Sequence, residues 1–301
     1  MIIFFEEGKL GNQLFQYCGL KKYFPNDNLI FFGCKDLKEL FSGVLVNFFL
    51  ANKCNVIYSK NDESKSSVSF ETFTFKLLKK IIFFLVRTKV LGKITHLDSN
   101  SNKFNINISR GFFSKLNVAY SIFFQHSDCI NNVTAYPILK KNLLKQAKNW
   151  LKKKNIILHK QRLVFVHIRR GDYLFWPSSK FPASLELTWY KRAMLKISKK
   201  IYKPIFVIMS DDLLYIQKEF KESDSLIISN NKAAVDLAIM QMCSHGILSP
   251  STFAWWGGFF SRSKKIDKNN LYFIAPKFWA GHRIKKWFPK NFYTNWISYL
   301  K

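Results

Sequence analysis

From residue 163 onward, apolar runs of strand length alternate with stretches of helical periodicity, and few folds accept a chain with that pattern. The run Leu163-Val164-Phe165-Val166-His167-Ile168 has the β-branched content of a strand covered on both faces, as in parallel sheets. The order then repeats: helix over 187–201, strand over 204–209, helix over 213–220, strand over 226–229, helix over 233–243, strand over 246–248, helix over 252–261 and strand over 271–275. Such alternation predicts a doubly wound parallel sheet.

Upstream, a strand over 1–5 runs into Gly8-Lys9-Leu10-Gly11-Asn12-Gln13 and then a helix from Leu14, the opening of another α/β domain. A second strand is expected over 28–33, an exposed Ser-rich loop over 61–69, an Asn/Ser-rich connector over 98–108 and a basic helix over 140–154. The first half reads as a less regular α/β domain. A length of 301 residues fits two domains at about 100–200 residues each. We place the boundaries at 1–155, 156–275 and a tail over 276–301 that packs back across the domains.

With 48% hydrophobic and 22% charged residues, most of the chain can fold. The formal charge of +29 is compatible with nucleic acid, an anionic membrane surface or a phosphorylated substrate, and also with a coding bias toward lysine. Lys152-Lys153-Lys154 and Lys264-Lys265 carry no interleaved aromatic ladder, which argues against a dedicated nucleic-acid reader. The five cysteines, Cys18, Cys34, Cys54, Cys129 and Cys243, are odd in number and widely spaced, so neither a zinc site nor a disulfide framework is expected. A reducing compartment fits, and the start lacks the basic and long apolar regions of a signal peptide, so a cytoplasmic protein is expected. The stretch 70–91, with Ile81-Ile82-Phe83-Phe84-Leu85-Val86 bracketed by Lys76, Lys79, Lys80, Arg87 and Lys89, is too short and too charged to span a bilayer. It reads as a helix packed in its own domain or an amphipathic helix resting on an anionic membrane.

In open α/β sheets ligands bind beyond the carboxyl ends of the strands, so the polar residues after each apolar run carry the chemistry. After the strand ending at Ile168 come Arg169, Arg170, Gly171 and Asp172. Adjacent guanidiniums match phosphate oxygens, or pair internally with Asp172. After the strand over 204–209 come Ser210, Asp211 and Asp212, suited to a ribose hydroxyl, a guanine edge or a divalent metal, or to capping the next helix. Ser249, Pro250, Ser251 and Thr252 open the helix before Trp255 and Trp256, which gives either a phosphate cradle or an ordinary N-cap. Gly11 permits close approach of backbone, and Asn12 and Gln13 can bond sugar hydroxyls, although the loop lacks both the dinucleotide fingerprint and the P-loop ending.

Together, Gly8 to Tyr17, His167 to Tyr173, Phe206 to Asp212 and Asp236 to Gly257 resemble, in order and spacing, the α-1,2-fucosyltransferase family, family eleven of the glycosyltransferases. The resemblance covers the second half and the first twenty residues, not 30–150. It implies a GT-B-like fold, two Rossmann-like α/β domains facing a cleft, the second binding GDP-fucose and the first shaping the acceptor site. It further implies an inverting, metal-independent transfer of L-fucose to the 2-hydroxyl of a terminal galactoside, with no cofactor beyond the donor substrate. Arg169 and then Arg170 are expected on the diphosphate, with Asp211, Ser251, Thr252, Gly11, Asn12 and Gln13 as further binding residues. Asp172 and His167 are the candidate catalytic bases. The resemblance suggests bacterial O-antigen or other surface glycan as product, with peripheral contact at the inner membrane. The alternatives are a transferase of the same fold using another nucleotide sugar, or a non-catalytic basic protein binding membrane or nucleic acid. Two positions depart from the family: Gly8-Lys9 replaces Gly-Gly, and Pro250 stands where Asn is usual.

Overall fold

The computed structural model describes residues 1–51, 70–97, 104–120, 122–131, 133, 135–158, 160–265, 270–279 and 292–301. They form two compact units, Met1–Ile138 and Leu139–Lys301. The division falls ahead of residue 155, because the basic helix before it packs against a helix of the second unit. The expected loop over 61–69 lies outside the described residues.

The first unit carries a six-stranded sheet of β1 (Ile2–Phe5), β2 (Leu29–Phe32), β3 (Asn47–Phe49), β4 (Leu91–Leu97), β5 (Asn105–Ser109) and β6 (Phe113–Ala119), in the order β3-β2-β1-β6-β4-β5. All neighbours are parallel except β4 and β5. The connector expected over 98–108 thus ends in an edge strand. This sheet is more regular than the sequence implies: β4 and β6 mix Lys, Thr, His, Ser and Asn with apolar residues and expose one end, so no continuous apolar run marks them. Helix α1 (Leu10–Tyr23) is buried from Gln13 to Lys21, while α2 (Lys35–Leu40) is a short turn after β2. In α3 (Phe70–Arg87), Phe75, Ile82 and Val86 pack with Ile3, Phe5 and Val118, so one face belongs to the core.

The second unit follows the expected alternation closely. It contains α4 (Lys141–Lys153), β7 (Arg162–Ile168), α5 (Leu187–Ser198), β8 (Pro204–Ser210), α6 (Leu213–Glu219), β9 (Leu226–Ile228), α7 (Ala233–Met242), β10 (His245–Ile247), α8 (Thr252–Ser263), β11 (Phe273–Pro276) and β12 (Ser298–Leu300). Helix α4 buries Leu143, Ala147 and Leu151, one stripe at four-residue spacing, and turns its lysines outward. The sheet order is β9-β8-β7-β10-β11-β12, every pair parallel. In chain order that is 3-2-1-4-5-6, the Rossmann arrangement, whose strand order reverses between β7 and β10. The tail returns to this unit: β12 extends the sheet, and Leu300 and Lys301 carbonyls accept from Trp189 Nε1 and Arg192 Nη2.

At the reversal Gly246 pairs in register with Phe165, and a Cβ on Gly246 would run into the Phe165 ring, which is wholly buried. Gly246→Val therefore costs about 1–3 kcal/mol of stability by overpacking. Denaturant melts should show that loss, with partial recovery in the Gly246→Val, Phe165→Leu double variant; an unchanged midpoint would contradict this packing.

Candidate active site

The carboxyl ends of β7, β8 and β10 bring the sequence-selected groups of the second unit together. β7 ends at Ile168, and the chain continues through Arg169 and Arg170 into a single 3-10 turn, Gly171–Leu174. Arg169 Nη1 lies 2.7 Å from Asp211 Oδ2, Nη2 pairs with Asp172 Oδ1, and the guanidinium stands 5.4 Å from the Tyr173 ring centroid. Arg170 Nε donates to Asp212 Oδ2 at 3.0 Å, its backbone N–H donates to Asp211 Oδ1 at 2.8 Å, and its guanidinium lies 3.4 Å from the Tyr215 ring centroid. Two cations thus face three carboxylates. The internal pairing of Arg169 with Asp172 is present, and Asp211 is added to it. Asp172, 41% exposed, is the outermost of these acids, against 26% for Asp211 and 33% for Asp212. A guanidinium carries five N–H donors, so pairing through Nη1 and Nη2 leaves Arg169 capacity for a further acceptor.

The acids after β8 divide their work. Asp212 caps α6, accepting from Tyr215 N at 3.1 Å, and also holds Arg170. Asp211 bridges the two arginines. Its approach requires a glycine opposite: Gly171 has φ +21°, and a Cβ there would stand 2.5 Å from Asp211 Oδ2.

His167, on β7, reaches across the reversal: its Nδ1 lies 2.7 Å from Ser249 Oγ, and its ring packs 5.5 Å from that of Phe253 in the first turn of α8. Burial, assisted by the Arg169 charge, lowers its pKa to about 3. A neutral, tethered imidazole of that basicity is a poor proton acceptor at neutral pH and a good brace. Ser251 occupies the N-cap position of α8, but its hydroxyl makes no capping bond. The ordinary N-cap role is therefore not realised there, and the first-turn N–H groups and positive dipole end of the helix sit beside Ser251 and Thr252. Pro250 precedes that turn within a small pocket lined by Leu248, Ser249, Ser251, Trp255 and Pro276.

Gly11, Asn12 and Gln13 belong to the other unit, after β1. Gly8 takes φ +77° and a Cβ there would collide with Asn12, whereas Lys9 is extended at φ −83°. The turn thus needs glycine at position 8 only, and lysine at 9 leaves it intact. Gln13 is 1% exposed and its Nε2 donates to Glu6 Oε1 at 2.9 Å, which makes it a brace of the loop. Asn12 is half-buried and its Oδ1 accepts from Gln125 Nε2 at 3.0 Å.

Glu6 was missed by the sequence reading. It follows β1 directly, its carboxylate also accepts the Cys34 N–H at 2.7 Å, and burial raises its pKa to about 7. The signal was present, since it is the polar residue immediately after an apolar run. Asp236 in α7, 6% exposed, accepts from Ser229 Oγ at 2.5 Å, and burial raises its pKa to about 7 as well. Among the described residues, no group of three or more His, Cys, Asp or Glu is placed to hold a metal ion, and the acids after β7 and β8 are turned onto arginines.

The sequence profile of glycosyl transferase family 11 matches residues 71–300, and the chain belongs to that family. It is similar to the O-antigen biosynthesis glycosyltransferase WbnK of Escherichia coli, 25% identical over 93% of this chain and 95% of that one. An alpha-1,2-colitosyltransferase of Escherichia coli is 24% identical over 83% of this chain and 84% of its own. The galactoside 2-alpha-L-fucosyltransferase Sec1 of Mus musculus is 27% identical over 36% of this chain and 31% of its own. Among solved structures, POFUT1 in complex with GDP-fucose superposes with a TM-score of 0.51 over 87% of this chain and 93% of that one at 14% identity, which agrees with a GT-B-like fold.

The lowered pKa of His167 has a measurable consequence. Its folded value lies below the ordinary 6.5, so the stabilisation is complete above about pH 6.5 and is lost as pH falls toward 3. His245, lowered to about 4, acts in the same direction, so the variant comparison isolates His167. Denaturation midpoints of wild type and His167→Gln should converge as pH drops from about 7 to 4; parallel pH profiles would refute the buried neutral imidazole.

Proposed function

We propose that this member of glycosyl transferase family 11 transfers L-fucose from GDP-fucose to the 2-hydroxyl of a terminal galactoside, with inversion and without a metal ion, in the synthesis of bacterial O-antigen or another surface glycan. The observation that carries the reading is the placement of Arg169 and Arg170 at the end of β7, beside the uncapped start of α8, where the strand order reverses. The name of the mouse relative further supports fucose, the galactoside and the 2-linkage, and that of WbnK supports O-antigen as the product.

Cleavage of the sugar–phosphate C–O bond builds negative charge on the departing β-phosphate. Arg169, Arg170, the Ser251 and Thr252 hydroxyls and the first-turn N–H groups of α8 offset that charge, the task a metal ion performs elsewhere. Asp211 keeps both arginines in place and is a candidate for a donor ribose or guanine contact. Asp172 pairs with Arg169; when the diphosphate takes over that guanidinium, Asp172 is released to accept the proton of the attacking hydroxyl. Inversion then follows from a single displacement: the acceptor oxygen bonds to the anomeric carbon as the phosphate leaves with the electron pair. His167 holds Ser249, and through it the phosphate loop, in position. Gly11 and Asn12 serve sugar hydroxyls from the first unit, with Gln13 supporting their loop. The similarity to a colitosyltransferase favours a second reading for the donor, a related deoxysugar on the same nucleotide, which a donor screen separates.

Incubation with GDP-fucose and lactose in the presence of EDTA should release GDP and yield a 2-linked fucoside. Absence of transfer to every galactoside offered would count against the reading. Arg169→Ala should weaken GDP binding by about a hundredfold or more in calorimetry; wild-type affinity would remove Arg169 from the diphosphate site. Asp172→Asn should lower kcat by about 10²–10⁴ while GDP affinity holds or rises, because a competitor for Arg169 has been weakened. A near-normal kcat would end its assignment as base.

A further inference from the structure

Only one face of α3 is used by the core. Phe73, Leu77, Ile81 and Phe84, spaced four, four and three residues apart, lie on the opposite face and are 58%, 46%, 48% and 64% exposed. Lys76, Lys80 and Arg87 are exposed on that same face. Lys79, by contrast, turns inward, 3.8 Å from Glu7 and over the Phe83 ring. Beyond the helix end the surface continues: the Phe112 and Phe113 amides donate to the Lys89 and Val90 carbonyls, and those two rings are 84% and 56% exposed beside Arg110. Neither 72–97 nor 99–127 contains an Asp or Glu.

We propose that this face of α3, extended by Phe112 and Phe113, docks on an anionic lipid bilayer, with α3 lying in the plane of the headgroups. The chemistry selects that occupant. An apolar stripe edged by cations and free of acids is complementary to acyl chains beneath a negative headgroup layer. A protein partner that used the stripe would also have to neutralise the flanking cations with acids, whereas a bilayer rich in anionic lipid supplies both at once. Insertion across the bilayer is a separate matter: among the described residues no helix is long and apolar enough to cross a membrane. The surface lies wholly within the first unit and does not depend on which sugar is transferred.

Flotation of the full chain with phosphatidylcholine vesicles, with and without phosphatidylglycerol, tests this directly. Binding is expected to the phosphatidylglycerol vesicles only, to weaken at high salt and to resist excess glycerol phosphate. Lys76→Gln with Lys80→Gln should reduce partitioning about thirtyfold, since each cation near the surface contributes about a factor of five. Leu77→Ser with Phe84→Ser should reduce it by about tenfold or more. Tyr202→Ser, at an 83% exposed position in the second unit, should leave it unchanged. All these side chains are exposed, and unaltered circular dichroism and denaturation midpoints confirm folding. Equal binding to neutral vesicles, or α3 variants that bind as wild type does, would overturn the proposal. So would self-association in sedimentation that the Leu77/Phe84 variant abolishes while vesicles go unbound, since the face would then belong to a second copy.

Discussion

Two guanidiniums at the end of a buried parallel strand must be met by negative charge, and this constraint organises the second unit. Arg169 and Arg170 leave β7 where the sheet order reverses, the point at which the neighbouring crossovers diverge and open a crevice. Asp172, Asp211 and Asp212 supply that charge from two different segments. Arg169 keeps donors for a further acceptor, and we propose that a diphosphate arriving there loosens one of these acids. Asp172 is the natural one to yield, being the most exposed and attached to the short turn after β7 and not to the sheet.

Several local choices follow from that arrangement. Gly171 has no Cβ, so Asp211 can come close; Asp212 caps α6 while holding Arg170; and Tyr215 from the same helix lies under the Arg170 guanidinium. On the other side of the reversal His167 is kept neutral by burial and spends Nδ1 on Ser249, so the loop leading to α8 is tied to the strand that carries the arginines. The carboxyl end of β7 and the start of α8, far apart in sequence, are thereby fixed relative to each other, which is the preorganisation that charge stabilisation requires.

The second unit was legible because its strands are covered on both faces. Val164, Phe165, Val166, Val207 and Ile208 are fully buried, and such strands show up as apolar runs with their polar ligand-facing residues immediately after them. The same rule exposes Glu6, the polar residue that follows the apolar run of β1. The first unit was harder to read because β4 and β6 carry lysines, a threonine and an asparagine at exposed or partly exposed positions, and because β5 pairs antiparallel at the edge. Roles within the site were less legible than its membership. A sequence shows that Arg169, Asp172 and Asp211 follow strands, but not that the acids hold the arginines, nor that burial lowers the pKa of His167. Nor does it show that the Gln13 Nε2 donates to Glu6.

The central claim is that a nucleoside diphosphate exchanges places with Asp172 on Arg169. A crystal structure of the chain with GDP bound tests it most directly. The account predicts a β-phosphate oxygen within hydrogen-bonding distance of the Arg169 guanidinium and of the first-turn N–H groups of α8, with Asp211 retained and the Asp172 carboxylate turned away. A diphosphate bound elsewhere, with Arg169 still closed on both Asp172 and Asp211, would contradict it.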